Sequence, residues 1–476
     1  MSDPDPYRNE AASSAPHPGE AVDPSTTLTP QGAPTGRRPR LSPLNQRRWR
    51  NFKRNRRALW SLWIFGILFG LSLFAEFFAN DKPVLVSYRG EIRMPIFSFY
   101  SEQEFGGDFP TEAAYGDPEV QCLIVTGGMD ACFDTPNELI AQVAQGETPD
   151  LEGFEAGWMV WPLLPYSYDT IVDRPGVAPS PPNVVGYWTD AEGEEQFGLL
   201  PPAYRGANLL GTDDTKRDVL ARVIYGFRLS VLFALMVTVA SSLIGVIAGA
   251  VQGYFGGWTD LIFQRIIEIW TGTPSLYVII IIFAILGRSF WLLVFLTVLF
   301  GWPALVGVVR AEFLRARNFE YVRAAKALGV SDRTIMFRHM LPNAMVATVT
   351  MLPFLVTGAI GTLASLDFLG FGLPSSAPSL GEMTLQAKQN LQAPWLAFTA
   401  FFTFAIMLSL LVFIFEGVRD AFDPRKTFTG EGPEVTESQA QAEADAALAA
   451  SPSRREGGGP LGHARESSRR PMGMAA

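Results

Sequence analysis

Charged and apolar residues alternate along this chain in blocks of about twenty. Ala58–Phe78 reads ALWSLWIFGILFGLSLFAEFF, with one charge, Glu76, near its end. Five further apolar runs follow at 229–251, 269–286, 290–309, 345–366 and 395–415. A bilayer core about 30 Å thick needs about 20 helical residues rising 1.5 Å each, so the pattern predicts six spanning helices. The first run is no signal peptide. It begins at residue 58, exceeds the usual ~7–15 apolar residues, and lacks a small-x-small cleavage site. Pro274 and Pro353 lie inside the runs and can kink them.

Charge sets the expected orientation. Residues 37–57 are crowded with Arg and Lys, which places the N-terminus in the cytoplasm and residues 79–207 outside. The loop 310–344 then falls inside, with Arg310, Arg315, Arg317, Arg323, Lys326, Arg333 and Arg338, and Arg419, Arg425 and Lys426 follow the last run. Lys216, Arg217, Arg222 and Arg228 run against this rule, since 208–228 would lie outside. The pieces VLVSYRG, IRMPIFSFY and NVVGYW, separated by Gly and Pro, predict a strand-rich insert between 79 and 207. Residues 1–57 and 427–476, polar and low in apolar periodicity, are expected to be disordered cytoplasmic tails.

Composition supports a membrane protein. Hydrophobic residues make up 48% of the 476 and charged residues 18%, against about 25% charged in soluble domains. The net charge of −9 hides an acidic block at 81–195 and a basic one at 37–57. The two cysteines, Cys122 and Cys132, both fall in the outer block, where they can pair in a disulfide or remain two buried thiols. Three scattered histidines and no C-x-x-C give no metal site. G-x-x-x-x-G-K-[ST], H-E-x-x-H and G-x-S-x-G are missing. The spans carry almost no ionisable group; Arg265, Glu268, Asp367 and Glu416 lie at their ends. A coupled carrier would bury such groups, so any energy for transport comes from elsewhere or transport is passive.

The inner loop carries the densest local signal. Glu320–Leu328 predicts two helical turns, ended by Gly329 in the left-handed conformation. Ser331 is placed to N-cap a second helix, with Asp332 suited to its positive end. Ile335, Met336, His339 and Met340 can share one face, and Leu341-Pro342 should stop the helix. The outline is that of a DNA-binding helix-turn-helix, but Met345 tethers it to the bilayer within a few residues, and a recognition helix must enter a groove about 12 Å wide. Nucleic acid is excluded. A solvated basic loop and a docking element for a partner protein remain.

The stretch YVRAAKALGVSDRTIMFRHMLPN resembles the cytoplasmic coupling loop of binding-protein-dependent ABC importer permeases, E-A-A-x-x-x-G-x(9)-I-x-L-P. Ala324, Ala325, Gly329, Leu341 and Pro342 match; Arg323 stands for the Glu and His339 for the Ile. LLGTDDTKRDVLARVIYGFRLSV resembles the element before the second span of the dipeptide/oligopeptide branch, retaining Gly211, Thr212, Asp213, Arg217, Asp218 and Arg222. DFLGFGLPSSAPSLGEM, APWLAF and VRDAFDPR resemble the end of the same subunits, and the start of the insert resembles the YejE-type group. The resemblance implies an all-α integral membrane fold of six transmembrane helices, with a type I importer (MetI-like) core at 208–426 and the strand-rich insert outside. It implies a bacterial inner-membrane subunit without catalysis or cofactor of its own. ATP and Mg would lie on two cytoplasmic ATPase subunits that receive Tyr321, Arg323, Ala324, Ala325, Leu328, Gly329, Ser331, Asp332, His339, Leu341 and Pro342. A homologous permease, a periplasmic peptide-binding protein and membrane lipid complete the expected partners. For 209–231 two readings stand. One is a lip for the binding protein. The other is a surface helix with solvated i, i+4 pairs, Asp213 with Arg217 and Asp218 with Arg222, worth only tenths of a kcal/mol. From another class, a self-sufficient channel or secondary carrier is the alternative.

Overall fold

The computed structural model describes residues 43–146, 155–172, 178–183, 185–189, 195–199 and 207–422. The tail segments before 43 and after 422 lie outside the described residues. The chain divides into two compact units at Arg47/Arg48; apart from the first residues of one helix, everything below concerns the second.

Among the described residues five helices are long and apolar enough to cross a membrane, or six if one bent pair counts as a span. Helix α1 (Pro43–Arg54) occupies part of the expected disordered tail. Its Phe52 packs on Ala58 and Ala421, which gives this basic stretch an apolar anchor that its composition conceals. Asn55 then caps α2 (Arg56–Leu73), accepting from the Ala58 N–H at 3.2 Å. A break at Phe74 starts α3 (Ala75–Phe78), so the first apolar run is not one straight helix.

The insert is mixed rather than strand-rich. Strands β1 (Leu85–Tyr88), β2 (Glu91–Arg93) and β3 (Trp158–Val160) form one small antiparallel sheet in the order β2-β1-β3. Helices α4 (Pro118–Thr126) and α5 (Pro136–Ala144) lie between them in sequence. Strands β4 (Val185–Thr189) and β5 (Glu195–Leu199) pair separately. Of IRMPIFSFY only its first two residues are in a strand, because Pro95 cannot donate to a ladder. Cys122 and Cys132 are joined in a disulfide, buried with Leu123, Met129 and Leu139.

The core begins with α6 (Val219–Phe255), 37 residues long. Of the two readings of 209–231, the surface helix does not form as such: the helix starts only at Val219 and runs unbroken into the span. The next apolar run divides into α7 (Gly257–Gly272) and α8 (Ser275–Leu286), bent by 69° at Thr273-Pro274. Pro274 is therefore a break rather than a gentle kink. Then α9 (Phe290–Gly301) and α10 (Pro303–Ala316) follow, with Pro303 in the first turn of α10. After α11 (Glu320–Ala327) and α12 (Asp332–Thr334), a π-helical turn Ile335–Met340 leads into α13 (Leu341–Phe368), which continues across Pro353. Helices α14 (Leu380–Gln389) and α15 (Pro394–Phe422) complete the core.

Backbone approach fixes α6 on α10. Gly245, Gly249 and Gly253 recur every fourth residue along one face of α6. A Cβ added to them would lie 2.6 Å from the Trp302 carbonyl oxygen, 2.8 Å from that of Val306 and 2.7 Å from that of Arg310. In lipid no hydrophobic drive separates one helix face from another, and such small-residue seams supply close packing instead. Gly249→Ala should overpack the seam and cost about 1–3 kcal/mol, whereas Gly307→Ala, with nothing within 4 Å of its added Cβ, should cost nothing. Thermal unfolding midpoints of the two variants in detergent check this difference.

Candidate functional site: a basic hairpin and a buried ion pair

The 320–342 hairpin is built by a helix end of well-defined geometry. Gly329 takes φ +76°; its N–H donates to the Lys326 carbonyl at 3.0 Å, and the Val330 N–H to that of Ala325 at 3.1 Å. These two bonds make a Schellman stop, in which a left-handed glycine satisfies the last carbonyls. Ser331 stands at the N-cap position of α12 but its hydroxyl makes no cap bond; it pairs with the Thr334 hydroxyl at 2.9 Å. Asp332 accepts instead from the Tyr254 hydroxyl of α6, and the Lys326 ammonium lies 4.5 Å from the centre of the Tyr254 ring. Tyr254 thus clasps both arms of the hairpin. The sequence reading missed it; its position one residue after the last glycine of the α6 seam was the available signal.

The expected helix stop at Leu341-Pro342 does not occur. Pro342 has no N–H to give, but it sits in the first turn of α13, just after the π turn, where that loss is tolerated. The second arm is therefore continuous with a spanning helix: Asp332–Phe368 counts as one candidate span. The faces of the hairpin also divide differently from expectation. Val322, Ile335, Met336 and Met340 are buried in one cluster with Val246, Ala250, Tyr254, Leu305, Val309 and Phe313 of α6 and α10 and Ala344 of α13. His339 is exposed and does not join Ile335 and Met336. Tyr321, Arg323, Ala324, Leu328, Gly329, Ser331, Asp332 and Pro342 are exposed too, Leu328 to 84%, while Ala325 and Leu341 are half-buried. The result is a small-residue and apolar outer face carried on a buried inner face.

At the other end of the spans, Gly211–Asp218 is a loop and not a helix, with Gly211, Thr212, Asp213 and Asp218 buried and Thr215 exposed, so the i, i+4 pairs of the surface-helix reading are absent. Asp213 pairs with Arg222, nine residues on, both side chains 1% exposed. The other oxygen of Asp213 accepts from the N–H groups of Thr215 and Arg217 and from the Thr215 hydroxyl, all at 2.8 Å. Arg222 also donates to the Ala377 carbonyl at 3.1 Å, and Arg217 to that of Ser375 at 3.1 Å. Asp218 caps α6, accepting from the Ala221 N–H at 2.7 Å and from the Asn208 amide at 2.9 Å. Thr212 accepts from the Ser180 N–H at 2.9 Å through its hydroxyl and from the Trp395 indole at 3.2 Å through its carbonyl. Gly211 stays small because a Cβ there would lie 2.7 Å from the Ser180 carbonyl oxygen.

This network pairs two of the four cations that run against the charge rule. Arg222 is neutralised by Asp213, and Arg228 by Glu76 of α3 at 2.7 Å, so neither counts as a free cation in the topology rule. Burial raises the carboxyl pKa of Asp214 and Asp218 above the usual range. The neighbouring Asp213 charge adds to the shift at both, while the Asn208 and Ala221 bonds oppose it at Asp218. Glu382, in the first turn of α14, is raised chiefly by burial against the opposing pull of Arg222.

Two family models match. One, the binding-protein-dependent transport system inner membrane component, covers residues 241–428; the other, the N-terminal TM domain of oligopeptide transport permease C, covers 42–95. The chain is 55% identical over 399 residues, 82% of its length and 96% of the relative's, to the peptidoglycan transport system permease protein YejE of Agrobacterium fabrum. It is 50% identical over 390 residues, 81% of this chain and 99% of the relative, to the inner membrane ABC transporter permease protein YejE of Escherichia coli K12. With the oligopeptide transport system permease protein OppC of Bacillus subtilis it shares 36% over 217 residues, 45% of this chain and 71% of that one. The fold and these matches define a multi-pass ABC transporter permease of the inner membrane. Within that class, the chain belongs to the YejE group.

Breaking the Asp213–Arg222 pair should be costly, because removing one partner leaves a buried charge behind. Asp213→Ala is expected to lose about 3–5 kcal/mol, read as a lowered unfolding midpoint. Leu391→Ala, at an 84%-exposed position, should leave the midpoint nearly unchanged.

Proposed function

We propose that this chain is the membrane-spanning subunit of an ATP-driven importer of peptides, and that it turns the motion of partner ATPases into alternating access. One observation carries the reading: the hairpin at 320–342 is exposed on one face and shares its other face with α6, α10 and α13 in a single buried core. A partner gripping Ala324, Ala325, Leu328 and Gly329 would move those helices with it, since packed cores shift between discrete arrangements rather than deform. Two ATPase subunits would serve this hairpin and its counterpart on a homologous permease. ATP and Mg would lie on those subunits, and the chain itself would catalyse nothing. The N- and C-termini would lie with the hairpin in the cytoplasm and the insert in the periplasm, where a binding protein delivers substrate to the lip around Asp213 and Arg222. The names of the relatives, peptidoglycan and oligopeptide transport, support a peptide-bearing cargo. Arg323 and His339 would face the ATPase at positions where the family pattern has Glu and Ile.

Gly329→Asp and Ala325→Glu should abolish co-purification of the ATPases while leaving membrane insertion intact. An added Cβ at Gly329 meets nothing within 4 Å in the chain itself but is strained at φ +76°, so Leu328→Asp, at an 84%-exposed position on the same turn, is the companion variant whose charge acts on the partner's surface alone. Wild-type levels of ATPase in the purified mutant complex would refute the docking role. In the wild-type complex, peptide together with its binding protein should stimulate ATP hydrolysis. Solute movement by the chain alone, without ATP, would favour a self-sufficient carrier instead.

A further inference from the structure

The small sheet of the insert has two unlike faces. On β1, Val86 and Tyr88 are buried in a cluster with Phe105, Tyr115 and Ile124, and Arg93 of β2 stacks over the Tyr88 and Phe105 rings on that side. Alternation sends the intervening positions to the opposite face. The register sets Ser87 between Ile92 of β2 and Trp158 of β3, and Leu85 beside Val160. An antiparallel sheet packed on one side ordinarily turns polar residues to the other. Here Ile92 is 66% exposed, and Trp158 and Val160 are exposed with it, while the charged Glu91 and Arg93 fall on the packed side. The turn after β2 prolongs the patch. Its Phe97 and Ser98 N–H groups both donate to the Met94 carbonyl, at 3.1 and 3.2 Å, and Met94, Phe97 and Phe99 are exposed, Phe97 to 67%. Contiguous exposed apolar surface of this kind marks a protein or a membrane contact.

Two sets of contacts decide between those occupants. The Phe97 ring meets Phe77 of α3 edge-on, with centroids 5.7 Å apart, and Phe77 lies 6.3 Å from the ring of Phe74, an exposed residue at the break in the first span. The segment after β3 reaches the same place. The Leu164 N–H donates to the Phe78 carbonyl at 2.8 Å and the Asn80 N–H to that of Leu164 at 3.1 Å, with Leu163 exposed beside them. The patch therefore continues the lipid-facing surface of the first span at the level where that span ends. Trp side chains concentrate at that level, and Trp, Phe and Leu form the buried face of segments that lie in it. We propose that the sheet face of Ile92, Trp158 and Val160, together with Phe97 and Phe99 of the turn, is seated in the membrane surface, in the leaflet where the first span ends. Lipid covers the patch there, and the insert is held down on the bilayer, its apolar face sunk about 5–10 Å into the boundary between headgroups and acyl chains. No residue of this surface belongs to the 320–342 hairpin or to the Asp213–Arg222 network.

The test uses the purified full chain in nanodiscs, without ATPases or binding protein, so its outcome is independent of whether the chain imports peptides. Ile92→Cys and Phe97→Cys each place one free thiol on the patch, since the native cysteines are joined to each other. Both positions are exposed, so the variants should keep the wild-type unfolding midpoint. A nitroxide attached at either thiol is probed by two collision partners: oxygen, which concentrates among acyl chains, and a neutral nickel chelate, which stays in water. The ratio of oxygen to nickel collisions should be about fivefold higher at both positions than at Glu138→Cys, an exposed position of α5. A ratio at either position no higher than that of Glu138→Cys would show a face in water and overturn the seat. Shielding of the label from both agents, in the chain alone or only once the homologous permease is added, would show a protein cover and overturn it equally.

Discussion

The clasp between Tyr254 and the hairpin, seated on the buried cluster of Val322, Ile335, Met336, Met340 and Phe313, is the contact on which the remaining architecture depends. It ties a surface element to the ends of three core helices. Because α12 and the π turn run directly into α13, and α6 lies backbone-to-backbone on α10 through Gly245, Gly249 and Gly253, there is no flexible joint between the exposed residues and the spans. π turns recur at functional sites and interrupt the regular α register; here the turn lies where the surface arm becomes a spanning helix. A hairpin held only by a solvated loop could fix topology but could not transmit movement.

The far end of the same helices shows a complementary design. Asp213 and Arg222 are fully buried, and their bonds to Thr215, Arg217 and Ala377 join the loop before α6 to the segment after α13. Asp367, at the end of α13, accepts from the Leu373 N–H at 2.7 Å and from the Ser379 hydroxyl, which in turn caps α14. Buried pairs of this kind add little net stability against an apolar alternative, but they tolerate few arrangements. Both ends of α6 and α13 are therefore pinned by polar contacts of fixed geometry, with an adaptable apolar interior between them.

Much of this was legible in the sequence. Four of the six apolar runs lie within long helices and the other two, 58–78 and 269–286, are each broken once, because hydrophobic length is dictated by the membrane and hardly depends on tertiary detail. Gly329 announced the first arm's end because only a residue without a Cβ takes φ +76° without strain. Other features depended on what packs nearby. Proline at 342 signals a stop in an isolated helix and a first-turn residue in this one, and nothing local distinguishes the two. The spacing of Asp213 and Arg217 suited an ion pair only if those residues were helical; Asp218 instead began the helix after them, and the partner became Arg222. The strand-rich character of the insert was overestimated because short β-prone pieces punctuated by Pro and Gly fit irregular coil equally well. Tyr254 and the α6 glycines were in view, but an apolar helix face shows its partner only when the partner is in place.

Cross-linking from the hairpin itself tests the central claim most directly. The two native cysteines are joined to each other, so Leu328→Cys introduces a single free thiol on the exposed face. A photoreactive group attached there, in membranes containing the whole transporter, should yield an adduct with a nucleotide-binding ATPase subunit, identified by peptide sequencing. The same group at Leu391→Cys, equally exposed but between α14 and α15, should yield none. An ATPase adduct from Leu391→Cys and none from Leu328→Cys would contradict the account.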